Sequence, residues 1–125
     1  MVIEDDEFVR HALGQTLELY GFKVHLAEDG PTGLKLARSV KPALILLDWM
    51  MPEMDGLEVL SELRRNKKTQ RIPVFMLTAR GMTGDRDKAI EIGADGYVDK
   101  PLDLRRIGEL VYDKWQEFTA SASVR

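Results

Sequence analysis

The sequence has no cysteine among its 125 residues, which excludes disulfides, thiolate catalysis and cysteine-ligated zinc. It also lacks any apolar run near the ~20 residues that a membrane span requires. The N-terminus has neither the basic region nor the long apolar stretch of a signal peptide. No excess of positive charge is present, and the net charge of −3 gives no support to nucleic-acid binding. We therefore expect a cytoplasmic domain that binds neither membrane nor nucleic acid directly.

The composition that is present predicts one folded domain. Hydrophobic residues make up 44% of the chain and charged residues 31%, which is too apolar for a disordered protein. The length fits a single hydrophobic core. Residues 120–125 are mostly small and polar. We assign residues 1–119 to one domain and 120–125 to a flexible C-terminal tail or the start of a linker.

The apolar run from Ala43 to Leu47 ends abruptly in Asp48. A short unbroken apolar run indicates a strand buried on both faces at the centre of a parallel sheet. An acid at its C-terminal end lies where open α/β sheets bind ligands. Asp48 is therefore the candidate reactive group.

Five predicted strands alternate with five predicted helices along the chain. The strands are expected at residues 1–3, 22–26, 43–48, 73–77 and 97–98, and the last helix from about residue 104. Alternation favours parallel strands with right-handed crossovers. The most apolar strands, the first, third and fourth, belong inside, which gives the order 2-1-3-4-5 of a doubly wound, flavodoxin-like (βα)5 three-layer sandwich. The fourth helix, about 85–92, has few apolar anchors and is expected to move.

Polar side chains collect at the predicted strand ends, namely Glu4, Asp5, Asp48, Thr78 and Lys100. In a parallel sheet these ends share one edge. Three carboxylates and one ammonium sum to −2, and one Mg²⁺, which prefers oxygen ligands and keeps several waters, would neutralise them. Asp carboxylates are known nucleophiles toward phosphoryl groups. Thr78 and Lys100 would then bind phosphoryl oxygens.

The chain resembles the receiver domain of two-component response regulators over about residues 1–118. The matching residues are Val2-Ile3-Glu4-Asp5-Asp6-Glu7, Asp48-Trp49-Met50-Met51-Pro52-Glu53-Met54-Asp55-Gly56, Leu77-Thr78-Ala79, Gly93-Ala94-Asp95 and Lys100-Pro101. Each motif alone is weak. Together they are specific, with 30 residues from Asp48 to Thr78 and 22 from Thr78 to Lys100.

The resemblance implies a regulatory phosphoacceptor that is not an enzyme in its own right. Asp48 would take a phosphoryl group from a sensor histidine kinase or phosphotransfer protein, and slow autodephosphorylation would follow. Asp5 would ligate Mg²⁺ directly, Glu4 chiefly through water, and Met50 through its backbone carbonyl. Thr78 and Lys100 would bind the phosphoryl group.

The resemblance also implies a switch. Thr78 would move toward the phosphoryl group, Tyr97 would change rotamer, and the face formed by helix 4, strand 5 and helix 5 would change to control an output. A C-terminal effector domain or a downstream protein would receive that output. The Lys100–Pro101 bond is expected to be cis.

Two departures from the family pattern bear on these implications. The first acidic position is Glu4 rather than Asp, a common variant. Gly96 stands where regulators that dimerise through the helix 4–strand 5–helix 5 face usually carry an acid, whereas Lys88, Glu91 and Asp95 fit that charged face. A homodimer formed on phosphorylation therefore stays an open alternative.

Three other functions compete with this interpretation. An Asp-nucleophile phosphatase requires a second acid two residues after the nucleophile, where this chain has Met50. A flavin-binding module requires a hydroxyl- and glycine-rich phosphate loop after the first strand, where residues 4–7 are all acidic. The third, a receiver-like docking module that is not controlled by phosphorylation, is disfavoured by the complete set of site residues but stays open.

Overall fold

The computed structural model describes residues 1–78, 83–100 and 102–124, and for residues 83–86 and 121–124 it describes the backbone alone. Strands and helices alternate throughout. Their order is β1 (Val2–Ile3), α1 (Glu7–Leu19), β2 (Leu26–Ala27), α2 (Gly30–Val40), β3 (Ile45–Asp48), α3 (Gly56–Arg65), β4 (Val74–Thr78), α4 (Thr83–Ile92), β5 (Gly96–Asp99) and α5 (Ile107–Val124).

The five strands form one parallel sheet in the order β2-β1-β3-β4-β5, which confirms the predicted topology. β3 and β4 are buried along their whole length. Their side chains alternate between two apolar layers, as the pleat requires. Ile45 and Leu47 face the layer beneath α2 and α3, whereas Leu46 faces the layer beneath α1 and α5. The described helices therefore cover both faces of the sheet.

Helices α1, α2 and α3 each begin after an aspartate. The side chains of Asp6, Asp29 and Asp55 accept hydrogen bonds from backbone N–H groups three residues later, at 2.8–3.0 Å. Such caps satisfy N–H groups that a helix start leaves without partners, and their negative charge suits the helix dipole. The helices that flank the predicted site thus begin at positions that the sequence itself fixes.

The second strand is shorter than predicted. The alternation over residues 22–26 predicted a strand, but β2 contains only Leu26 and Ala27. Phe22 packs instead edge-on against Trp115 of α5, with ring centroids 5.1 Å apart. The predicted strand was too long at its N-terminal end. Phe22 and Val24 alternate because they pack against the apolar layer beneath α1 and α5, and they are not part of the strand that pairs with β1.

The last two helices, α4 and α5, can be compared with the helices predicted from the sequence. In α4, Ala89 is buried and Ile90 is 47% exposed, in agreement with the sparse apolar anchoring expected there. α5 begins at Ile107, after a turn in which the Asp103 carbonyl accepts from two backbone N–H groups. Its backbone stays helical to Val124, beyond the predicted domain end at residue 119. Within the described part of the chain, no helix combines the length and apolarity needed to cross a membrane.

Asp95, which the sequence pattern grouped with Lys88 and Glu91, forms an ion pair with Arg64 of α3. Its carboxylate lies 3.0 Å from a guanidinium nitrogen of Arg64 in α3 and accepts from the Val74 backbone N–H at 2.9 Å. The carboxylate thus joins α3 to the beginnings of β4 and β5. The grouping of Asp95 with Lys88 and Glu91 on one charged face stays a prediction.

Candidate functional site

The carboxyl ends of the strands bring the predicted site residues to one edge of the sheet. Glu4 directly follows β1, and its N–H donates to the Ala27 carbonyl at 3.1 Å. Asp48 ends β3. Lys100 directly follows β5, and its N–H donates to the Thr78 carbonyl at 2.6 Å. Backbone pairing therefore aligns these positions before any side chain is considered.

Three carboxylates form a cluster at this edge. Glu4, Asp5 and Asp48 each offer one oxygen, and these oxygens lie within 4.8 Å of one another. Glu4 is 1% exposed and Asp48 2% exposed, whereas Asp5 is exposed. The cluster is thus buried on one side and open to solvent on the side of Asp5, as a site that exchanges ligands must be.

Lys100 supplies the positive charge of the cluster. Its Nζ donates to Asp48 Oδ1 at 2.9 Å and lies 3.6 Å from Glu4 Oε2. Burial by itself lowers the pKa of Lys100, but the adjacent Asp48 and Glu4 carboxylates outweigh burial and raise that pKa above its ordinary value. Lys100 therefore stays charged, and the cluster would have a net charge of −2 if all three carboxylates were ionised.

Glu4 is a buried carboxylate within this acidic cluster. Its Oε2 is buried and has no hydrogen-bond partner among the described residues, because 3.6 Å to Lys100 Nζ is too long for a hydrogen bond. Burial first, and the neighbouring Asp48 second, raise the pKa of Glu4 from 4.5 to about 8. A buried carboxylate oxygen without a partner is costly, so this position favours either a proton or a cation.

A divalent cation with oxygen ligands fits the cluster. Ligands 2.0–2.1 Å from Mg²⁺ lie at most about 4.2 Å apart across an octahedron, close to the spacing of these oxygens. The orphaned oxygen of Glu4 would gain a partner, and the charge of the cluster would fall to zero. The open side at Asp5 leaves room for the water ligands that Mg²⁺ keeps. The Met50 carbonyl stays a predicted ligand.

Thr78 is not joined to the cluster through its side chain. The residue is fully buried at the end of β4, and its hydroxyl donates to Asp99 Oδ1 at 3.0 Å. Strand pairing places Thr78 opposite Asp99. Asp99 was not among the predicted site residues, and the residue pattern contains no signal for this side-chain pair.

The remaining predicted residues lie around the rim or outside the described part. Tyr97 lies in β5 and is 37% exposed, and the side chain of Met50 is 65% exposed. The predicted cis Lys100–Pro101 bond cannot be placed, since Pro101 lies outside the described residues. Ala79, from the third matching motif, lies outside them as well.

Gly56, which the sequence analysis named only as the last residue of a matching motif, allows a close approach beside Asp48. The N-terminus of α3 comes so close to the end of β3 that a Cβ on Gly56 would lie 2.6 Å from the Asp48 carbonyl oxygen. The Gly56 N–H donates to the Trp49 carbonyl at 2.8 Å. A glycine therefore allows α3 to hold the loop that follows Asp48.

Comparisons with known proteins point to one family. The family model of the response regulator receiver domain matches residues 1–112. The chain is 40% identical over 107 residues to the DNA-binding dual master transcriptional regulator RpaA of Synechocystis sp., covering 86% of this chain and 44% of that protein. It is 42% identical over 111 residues to the probable transcriptional regulator ycf29 of Pyropia yezoensis, covering 89% and 50%. The chain spans about half the length of these curated relatives.

Solved structures of similar proteins have the same fold. Chemotaxis protein CheY4 of Vibrio cholerae superposes with a TM-score of 0.83 at 25% identity, covering 90% of this chain and 93% of that one. The receiver domain of Francisella response regulator 1452 superposes with a TM-score of 0.81 at 27% identity, covering 94% and 95%. The five-stranded sheet and its five helices are thus the architecture of receiver domains.

Proposed function

This chain belongs to the response regulator receiver domain family, and we propose that it accepts a phosphoryl group on Asp48 with the help of Mg²⁺. The donor is a phosphohistidine of a sensor histidine kinase or phosphotransfer protein. One observation carries the proposal: Asp48 is buried at the end of β3, 2.9 Å from Lys100 and within one carboxylate cluster with Glu4 and Asp5. The cytoplasm, where such kinases act, is the proposed location.

In the proposed transfer, an oxygen of Asp48 attacks phosphorus while the bond from phosphorus to the histidine nitrogen breaks. The electron pair of that bond stays on the imidazole, which takes up a proton. Mg²⁺ held by Asp5, Asp48, the Met50 carbonyl and, through water, Glu4 would supply charge neutralisation for the phosphoryl oxygens. Lys100 pairs with the Asp48 carboxylate before transfer. After transfer it would pair with a phosphoryl oxygen instead. Such transfer depends mainly on positioning and electrostatics, which these residues provide.

The proposed switch begins at Thr78. Its hydroxyl donates to Asp99 in this structure, and on phosphorylation it would donate to a phosphoryl oxygen instead. Both hydrogen bonds have a charged acceptor, so their free energies are similar. A small difference in free energy is then enough to shift Thr78 from one acceptor to the other. Tyr97 would then turn inward, and the face formed by α4, β5 and α5 would change. The sparse apolar anchoring of α4 lowers the resistance to that motion.

The proposed output lies outside this domain. The curated relatives are transcriptional regulators about twice the length of this chain, so an effector domain on the C-terminal side of the receiver is the proposed recipient. A homodimer through the α4–β5–α5 face is a second possible route for the output. In both cases this domain regulates, and any transfer to or from Asp48 is its own slow chemistry.

The experiment uses Trp49, which is buried directly after Asp48. In a Trp115→Phe background, Mg²⁺ and then beryllium fluoride are added while tryptophan emission is followed, and intact mass is measured after acetyl phosphate treatment. We expect saturable Mg²⁺ binding, a second change with beryllium fluoride, and the added mass of one phosphoryl group. Asp48→Asn should lose the last two. A wild-type protein that gains no phosphoryl mass in the presence of Mg²⁺ would instead support the docking-module alternative.

A further inference from the structure

Arg10 of α1 contacts the loop that carries two members of the carboxylate cluster. Its Nη1 donates to the Glu4 carbonyl oxygen at 2.9 Å and to the Asp5 carbonyl oxygen at 3.3 Å. The predicted site did not include this residue. We propose that Arg10 is a positioning residue that holds the β1–α1 loop so that Glu4 and Asp5 face one Mg²⁺. The inference rests on the proposed function, because it concerns the same metal site.

The loop must turn for these two residues to share a site. In an extended strand, successive side chains point to opposite faces of the sheet, and the N–H of Glu4 is still paired with Ala27 of β2. Yet Glu4 and Asp5 both contribute an oxygen to one cluster. The chain therefore leaves the strand direction between these two residues, at a position where β1 no longer constrains it.

Arg10 is placed to fix this turn. The pairing of β1 with its neighbours ends at Ile3, so the Glu4 carbonyl lies beyond the sheet ladder and needs another donor. A single guanidinium nitrogen that binds two successive carbonyls holds them on the same side of the chain. Hydrogen bonds from a charged donor are stronger than neutral ones, and the donor projects from a helix whose start is capped by Asp6.

The sign of the effect on Mg²⁺ binding separates positioning from charge. A guanidinium beside the metal loop repels a cation, so charge alone predicts that Mg²⁺ binds more tightly when Arg10 is neutralised. Loss of positioning predicts the opposite, because residues that orient metal ligands typically contribute about 10–100-fold to metal affinity. The two roles therefore shift the dissociation constant in opposite directions.

The test is calorimetric titration of Mg²⁺ into the wild-type protein, Arg10→Gln, Arg10→Lys and the control Arg38→Gln. Arg38 lies in the last turn of α2 and is exposed, so its variant has the same charge change away from the loop. We expect about tenfold weaker binding for Arg10→Gln, a value between this and wild type for Arg10→Lys, and no change for Arg38→Gln. Amide hydrogen exchange without Mg²⁺ should be faster at residues 4–6 in Arg10→Gln.

The outcomes separate this inference from the proposed function. Unchanged or tighter Mg²⁺ binding by Arg10→Gln, with a functional wild-type site, overturns the positioning role alone. A wild-type protein that binds no Mg²⁺ overturns the proposed function and the inference with it. If Arg10→Gln does not fold, Arg10→Lys decides, because a lysine ammonium lacks the planar fork of arginine. A wild-type dissociation constant in Arg10→Lys would then overturn the inference.

Discussion

The two ends of the sheet differ in how well their charged groups are paired. At the amino end, Arg64 donates to the carbonyls of Gly93 and Ile72 at 2.9 Å and to Asp95 at 3.0 Å. At the carboxyl end, three carboxylates share Lys100, and Glu4 Oε2 has no hydrogen-bond partner among the described residues. Satisfied polar groups at the amino end stabilise the fold, whereas the unsatisfied carboxylate at the carboxyl end supports the proposed metal site there.

This difference follows from the number of acceptors and donors at each end. Arg64 lies near the end of α3. The carbonyls of Ile72 and Gly93, which precede β4 and β5, accept its N–H groups, and Asp95 balances its charge. At the carboxyl end, acceptors exceed donors, and burial together with the adjacent Asp48 raises the pKa of Glu4. A buried carboxylate without a partner favours either a proton or a bound cation at this position.

The largest expected effect is the loss of phosphoryl acceptance in Asp48→Asn. The amide cannot act as the nucleophile, so intact mass after acetyl phosphate treatment should show no phosphoryl group. We expect the unfolding free energy to change by no more than about 1 kcal/mol, because the substitution relieves repulsion from Glu4 while it removes the ion pair to Lys100. A variant that still gains phosphoryl mass would show that another residue is the acceptor.

The next largest effect concerns stability at the opposite end. Arg64→Met should lower the unfolding free energy in urea by about 3 kcal/mol, because it leaves the partly exposed Asp95 carboxylate without its cation and the carbonyls of Gly93 and Ile72 without their donor. Phosphoryl acceptance by the folded variant should stay at the wild-type level. Arg65→Met is the matched control, since the side chain of Arg65 is 75% exposed. Equal stability of the two variants would contradict the role assigned to Arg64.

A pH-dependent effect of intermediate size is expected from Glu4. Its folded pKa of about 8 lies above the reference value of 4.5, so the folded state keeps a proton that the unfolded state releases between these values. The unfolding free energy without Mg²⁺ must therefore fall as pH rises through this range. We expect a loss of about 2 kcal/mol between pH 5.5 and 7 that is attributable to Glu4.

Urea unfolding at several pH values compares the wild-type protein with Glu4→Gln. The neutral amide cannot release the proton, so the variant should lack this part of the pH dependence. Saturating Mg²⁺ should suppress it in the wild type, because the cation replaces the proton. Parallel pH profiles for the two proteins without Mg²⁺ would show that Glu4 is ionised in the folded state.

The site residues that were predictable from sequence are those fixed by strand ends. Asp48 follows a run of apolar residues, and the parallel sheet then requires that Glu4 and Lys100 reach the same edge. These positions follow from local patterns, because a buried strand, a turn and a helix cap are each encoded in a few consecutive residues. The order of strands followed from the same patterns, since the most apolar strands lie at the centre of the sheet.

The contacts that escaped prediction join residues distant in sequence. Arg64 contacts Gly93 and Asp95 across about thirty residues, and Thr78 pairs with Asp99. Which side chain accepts which proton depends on packing that no short pattern records. The misjudged extent of β2 has a related cause, because alternation at Phe22 arises equally from contact with a helical layer or from a strand.

The smallest expected effect tests the pair formed by Thr78 and Asp99, next to the unbalanced end of the sheet. Thr78→Val keeps the shape of the side chain but removes its hydrogen bond to Asp99, and it should lower the unfolding free energy by about 1 kcal/mol. The variant should still gain phosphoryl mass, since Asp48 and Lys100 are intact. Its Trp49 emission should respond to Mg²⁺ as in the wild type but less to beryllium fluoride, because the valine cannot donate to a bound phosphoryl analogue. Thr119→Val, which removes a hydroxyl on α5 that donates to the Trp115 carbonyl, is the control. A full beryllium fluoride response in Thr78→Val would show that the hydroxyl at the end of β4 has no part in the switch.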